Sequence, residues 1–217
     1  MPFYKSVWLG EDVVKREEMP TKPQEKNHNT TAFVTLGASN HTVLDRQEHD
    51  FYATEPRAIE LLLKEQKFSD NVWECACGQG HLSEVLKNNG YNVYSTDLID
   101  RGYGDGVVDF LATHGQFDGD IITNPPYVIA QEFIEHALKV VTEGRKVVMF
   151  LRLAFLEGKG RKSFFQTSPL KYVYVASGRL SCARDGDFDK WHASAIAMAW
   201  FIWEKGYKGE PTIRWFN

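Results

Sequence analysis

From Pro56 onward, apolar positions alternate between a helical and a strand spacing. Residues 56–66 (PRAIELLLKEQ) carry the helical period, with Pro at the first turn. Residues 71–75 (NVWEC) form a short apolar run, and a Gly-rich turn follows. Residues 81–89 put Leu82, Val85 and Leu86 on one helix face, and Gly90 ends it. Strands are predicted at 91–96, weakly at 106–110, and at 118–123, the last running into Asn124-Pro125-Pro126-Tyr127. Residues 128–142 predict a helix whose apolar side is Phe133, Ala137, Leu138 and Val141. A buried strand over 145–151, a basic helical stretch to about residue 166, and strands at 171–176 and 193–203 complete the pattern. Strands alternating with helices give a parallel sheet covered on both faces. No helix of ordinary length separates the last two strands, so they are expected as an antiparallel hairpin at one sheet edge. The predicted fold is α/β: a Rossmann-like, doubly wound, mostly parallel seven-stranded sheet.

Residues 1–50 differ. They are polar, contain Pro20 and Pro23, and hold no sustained period. They are expected as a partly flexible N-terminal arm, followed by a catalytic domain over 51–217 with a short insert at 178–192. There is no internal repeat.

Composition narrows the class. A chain of 217 residues fits one domain with an appendage and leaves no room for a second recognition domain. The net charge of −4 means that a nucleic-acid partner needs a local basic surface. Three cysteines, with Cys75 and Cys77 one residue apart, predict reduced thiols in a cytoplasm and no metal site. The N-terminus has no signal-peptide pattern, and the longest apolar run, Ala193 to Trp203, is too short to span a membrane.

Three motifs carry chemistry. In Glu74-Cys-Ala-Cys-Gly78-Gln79-Gly80, two glycines between strand and helix allow a ligand close to backbone amides. Such a turn also serves as a plain tight connection. Asp97, 17 residues after Gly80, is placed to accept both hydroxyls of a ribose, or is simply a solvated strand end. The tetrad Asn124-Pro125-Pro126-Tyr127 follows a buried strand. Its prolines stiffen the backbone and remove amide donors. The Asn124 side-chain oxygen and the Pro125 carbonyl can then face a pocket as acceptors, and Tyr127 offers a flat face for stacking.

The order of these motifs resembles the S-adenosylmethionine-dependent amino methyltransferases, especially N6-adenine DNA methyltransferases. The resemblance covers about residues 50–203, and the tetrad is its most specific part. Small phage- and prophage-type enzymes, which also carry a segment like Leu36-Gly-Ala-Ser-Asn-His41, are the nearest likeness. It implies the class I methyltransferase fold and S-adenosyl-L-methionine as cofactor. It implies that Phe51 to Pro56, through Tyr52 and Thr54, helps bind the methionine part. Glu74, Cys75, Ala76, Gly78 and Gly80 match the cofactor turn, with Cys75 in place of a usual Pro. Asp97, with Leu98 beside it, matches the ribose-binding acid. Asp109 and Phe110 resemble the pair that binds the cofactor's adenine. Asn124, Pro125, Pro126 and Tyr127 are the implied catalytic set, with Asn124 also lining the cofactor site.

The implied mechanism is methyl transfer to an exocyclic amine. The amine's lone pair is delocalised into the ring, so two acceptors must hold its hydrogens and shift the nitrogen toward a tetrahedral geometry. A base inside a duplex must first be flipped out. DNA is expected to contact the basic segment 145–171, which holds Arg145, Lys146, Arg152, Lys159, Arg161, Lys162 and Lys171 against Glu157. The insert 178–192 is a second expected contact. Alternatives share the tetrad: an RNA base, a protein glutamine amide, or a silent methyltransferase-like binding module. A bacterial or phage-infected cytoplasm is the expected location, with no membrane partner.

Overall fold

The computed structural model describes residues 52–180, 182–184, 188 and 196–217; the arm 1–50, Phe51 and most of the 178–192 insert lie outside the described residues. In chain order the elements are β1 (Tyr52–Thr54), α1 (Pro56–Glu65), β2 (Asn71–Glu74), α2 (His81–Asn88), β3 (Asn92–Asp97), β4 (Gly106–Val107) and β5 (Asp120–Thr123). There follow α3 (Ala130–Val140), β6 (Lys146–Arg152), α4 (Lys162–Thr167), β7 (Leu170–Ala176), β8 (Cys182–Arg184), β9 (Met198–Glu204) and β10 (Thr212–Phe216).

One sheet runs in the order β10-β7-β9-β6-β5-β2-β3-β4, and β9 is antiparallel to both neighbours while the other pairings are parallel. This is the expected Rossmann-like arrangement. Several details differ from the sequence reading, first that the sheet has eight strands rather than seven, because Thr212–Phe216 adds as β10. The antiparallel pair is not the sheet edge, because β9 inserts between β6 and β7 and β10 adds outside β7. In β10, Ile213 is 51% and Trp215 67% exposed, so burial does not mark this strand; only backbone pairing to β7 defines it. The weak strand at 106–110 shrinks to two residues, because Asp109 accepts the Leu111 amide and starts a 3-10 turn over Phe110–Ala112. The helix expected at 128–142 opens as a 3-10 turn, Tyr127–Ile129, before α3 begins.

Cores lie on both faces of the sheet. On one face Phe133 and Ile134 of α3 and Phe164 of α4 cluster with Trp73, Phe110, Phe201 and Trp203. On the other, Ile59 and Leu62 of α1 and Leu86 of α2 cluster with Ile122, Phe150, Trp200 and Ile202. Strand β9 supplies alternate residues to the two cores, which is why MAWFIW reads as an unbroken apolar run. Its polar atoms are paired: the Trp200 indole donates to the Ala58 carbonyl at 2.9 Å, fixing α1 to the sheet. A second, two-stranded sheet joins β1 to β8 in antiparallel register, Thr54 opposite Cys182.

Candidate active site

The C-terminal ends of β2, β3, β5 and β6 lie at one edge, because those strands are parallel. Ligands bind at this edge in doubly wound sheets. Between β2 and α2 the chain turns tightly: the Gly80 amide donates to the Cys77 carbonyl (2.8 Å) and the Cys77 amide to the Thr96 carbonyl (2.9 Å). Asp97 joins this turn to the loop after β3. One carboxylate oxygen accepts the Gly78 amide (2.8 Å), the other the Ile99 amide (3.0 Å). A carboxylate has lone pairs beyond these two bonds. Leu98, beside it, is 56% exposed, an apolar surface at the ligand edge.

Gly80 adopts φ +84°, and a Cβ there would lie 2.4 Å from the Tyr103 ring. Tyr103 therefore closes over the turn; its hydroxyl donates to Glu84 (2.6 Å) and accepts from Lys87 (2.8 Å). Nothing in the sequence pattern singled Tyr103 out.

Glu74 supports the turn from beneath. Its carboxyl is buried and accepts from the Ser83 hydroxyl, which shares a 2.7 Å hydrogen bond with Ser95. Burial, only partly offset by the Ser83 contacts, pushes its pKa up to about 8. Cys75 and Cys77 are also buried; burial raises the Cys75 thiol well above its usual range and the Cys77 thiol to about 12, so neither is an activated nucleophile. Ala76 packs against the core on the α3 side. Asp109 caps the turn at Leu111, and Phe110 is a core residue, 2% exposed, with its ring against Trp73, Phe133 and His136.

The tetrad follows β5. The Asn124 amide Nδ2 donates to the Tyr52 carbonyl of β1 at 2.9 Å. That bond fixes the side chain and leaves Oδ1 buried with no hydrogen-bond partner among the described residues. A buried acceptor without a donor is costly unless a ligand supplies one. Pro125 is buried, and the Pro126 carbonyl accepts the Ile129 amide at 3.2 Å. The Tyr127 ring lies nearly parallel to that of Tyr52, 17° between planes and 6.2 Å between centroids. Thr54 is buried on the same short strand. Tyr127 Oη lies 3.3 Å from Cys182 Sγ, and burial holds the phenol well above its usual pKa, hence neutral. The Arg152 guanidinium lies over the Tyr127 ring, 4.9 Å from its centroid. A cavity of about 320 Å³ opens beside Tyr127, lined by Val128, Gln131, Glu132, Glu135, Phe155 and Arg161.

The basic segment 145–171 is not one surface. Arg145 pairs with Asp118 (2.7 Å), and Lys171 with Glu204 (2.8 Å). Lys146 Nζ donates to the Lys67 carbonyl (2.7 Å). These three lie at the N-terminal ends of β6 and β7, away from the tetrad. Arg161 faces inward too, donating to the Phe155 carbonyl at 2.9 Å. Beyond the C-terminal end of β6, Arg161 lines the Tyr127 cavity, and Arg152, Lys159 and Lys162 are the basic residues that make no ion pair among the described residues. Among the described residues, no three metal-binding side chains cluster, and no helix is long and apolar enough to cross a membrane.

No family model and no curated protein matches this chain. Solved structures do. A protein from Lactococcus lactis described as a candidate hemolysin superposes with TM-score 0.54 at 11% identity, over 74% of this chain and 91% of its own. A protein from Listeria monocytogenes described as a candidate class I S-adenosylmethionine-dependent methyltransferase is similar with TM-score 0.49 at 14% identity, over 74% of this chain; the match spans 61% of that protein's length. The 23S rRNA methyltransferase ErmE gives TM-score 0.47 at 14% identity, over 74% of this chain and 71% of its own. The sheet order, with antiparallel β9 third from the β10 edge, and the match to the Lactococcus lactis protein are those of a Rossmann-like α/β fold.

Proposed function

We propose that this protein is an S-adenosylmethionine-dependent methyltransferase that modifies the exocyclic amino group of adenine in DNA. The observation that carries the reading is Asn124: its nitrogen is tied to the Tyr52 carbonyl, and its buried Oδ1 faces no donor. An acceptor fixed in this way suits an amine N–H brought by the substrate. Asn124 Oδ1 would take one amino hydrogen and the Pro125 carbonyl the other, localising the lone pair on nitrogen. Tyr127, held neutral, would stack on the flipped base.

The residues fit the cofactor. The Gly78–Gly80 turn, Asp97 with spare acceptor capacity, exposed Leu98 and the Asp109 cap stand at one edge with the tetrad. S-adenosylmethionine supplies an electrophilic methyl group when bound. Glu74, Cys75 and Ala76 would act by shaping the turn, Tyr52 and Thr54 by closing the site beside Asn124. Phe110 would act through the core that backs Asp109. DNA would approach from the side of Arg152, Lys159 and Lys162, with the 178–192 insert as a further contact.

The test is incubation with methyl-labelled S-adenosylmethionine and duplex DNA, RNA or a protein extract in parallel. Label in DNA adenine supports the proposal. Label in RNA or in a protein glutamine would keep the chemistry and change the acceptor. No transfer to any of them, despite cofactor binding, would leave a binding module.

A further inference from the structure

We infer that Arg152 grips a phosphate of the acceptor, which makes the acceptor a nucleic-acid strand rather than a protein amide. The inference rests on the tetrad being the methyl-acceptor site. Strand β6 is parallel to β5, so Arg152 at its C-terminal end emerges beside Asn124–Tyr127. Its guanidinium covers the Tyr127 ring at 4.9 Å. It is half-buried, and among the described residues it has no hydrogen-bond or ion-pair partner. Arg145, Lys146, Arg161 and Lys171 of the same segment all donate to carboxylates, carbonyls or a side-chain amide. The ring attracts Arg152 from one side only and leaves its planar fork of N–H donors without an acceptor.

That fork matches two oxygens of a phosphate. A planar group stacking on Tyr127 competes for a ring that the guanidinium now covers. The guanidinium then has to leave the ring as the base arrives, and the phosphate attached to that nucleotide arrives with it. The charge passes from ring to phosphate. The cavity on the α3 side of Tyr127 carries two exposed carboxylates, Glu132 and Glu135, against one cation, Arg161, whose Nε is taken by the Phe155 carbonyl; its net negative charge disfavours phosphate there and favours the side of Arg152. A glutamine side chain brings no anion to fill this role.

The test is binding of a fluorescein-labelled short duplex with one unpaired adenine, followed by anisotropy between about 50 and 200 mM KCl. Wild type, Arg152→Gln and Arg152→Lys are compared, each saturated with cofactor. Arg152→Gln is expected to bind about tenfold more weakly at the lowest salt. Its log–log salt slope should be shallower by about 0.9, the value for one phosphate on duplex DNA. Arg152→Lys should keep the wild-type slope because it keeps the charge, while losing part of the affinity with the fork. A wild-type slope in Arg152→Gln overturns this role and leaves the DNA reading intact. Failure of the wild-type protein to bind the duplex, or its single strands, overturns the nucleic-acid reading and this role together.

Discussion

Replacing Glu74 by Gln tests how the cofactor turn is built. The Glu74 carboxyl is 2% exposed, between α2 and the sheet, with Ser83 and Ser95 as its polar neighbours. Burial raises its pKa from 4.5 to about 8. Between those values the folded protein keeps a proton that the unfolded chain has released, so folding takes up a proton. Stability is therefore highest below pH 4.5 as far as this group is concerned, falls as pH rises, and levels off above about 8. At about 1.4 kcal/mol per pH unit, the interval sets a ceiling of about 5 kcal/mol. Gln has the same shape and no proton to lose. Urea unfolding of wild type and Glu74→Gln at pH 5, 6.5 and 8 isolates the effect, because all other titrations cancel in the difference. The wild type should lose stability relative to the variant by about 1 kcal/mol or more per pH unit across the window. Parallel pH profiles would refute the assignment of a protonated carboxyl beneath the turn.

Two further substitutions probe the same edge. Asp97→Ala removes the acceptor of both the Gly78 and the Ile99 amides and should weaken cofactor binding about tenfold or more, measured by calorimetry; unchanged affinity would remove its role. Gly80→Ala drives a methyl into the Tyr103 ring at a positive φ and should cost about 1–3 kcal/mol in thermal unfolding. Adding Tyr103→Ala should return part of that loss; strict additivity of the two would contradict the contact.

The parts of the site that were legible in the sequence share one cause. Parallel strands deliver their C-terminal ends to one edge, so the residues after β2, β3 and β5 meet there once the strand order is right. The Gly78–Gly80 turn, Asp97 and the tetrad are of this kind. What was not legible depends on pairing between distant segments. Tyr52 fixes Asn124 through a bond spanning 72 positions, and Cys182 reaches Tyr127 because β8 pairs with β1. The spread of the basic segment was not legible for a geometric reason: Lys146 and Arg152 are the two ends of one extended strand, and at about 3.3 Å per residue they lie roughly 20 Å apart. Charges adjacent in sequence thus occupy opposite ends of the sheet. Phe110 reads as a candidate ring contact for adenine, and its burial against Trp73 and Phe133, elements distant in sequence, was not legible.

The most direct measurement pairs transfer with binding in Asn124→Ala. The account predicts that wild type places labelled methyl on N6 of adenine in DNA. It predicts that the variant transfers at least about 100-fold more slowly while holding S-adenosylmethionine within a few-fold of wild type. Near-normal turnover in Asn124→Ala would contradict the account.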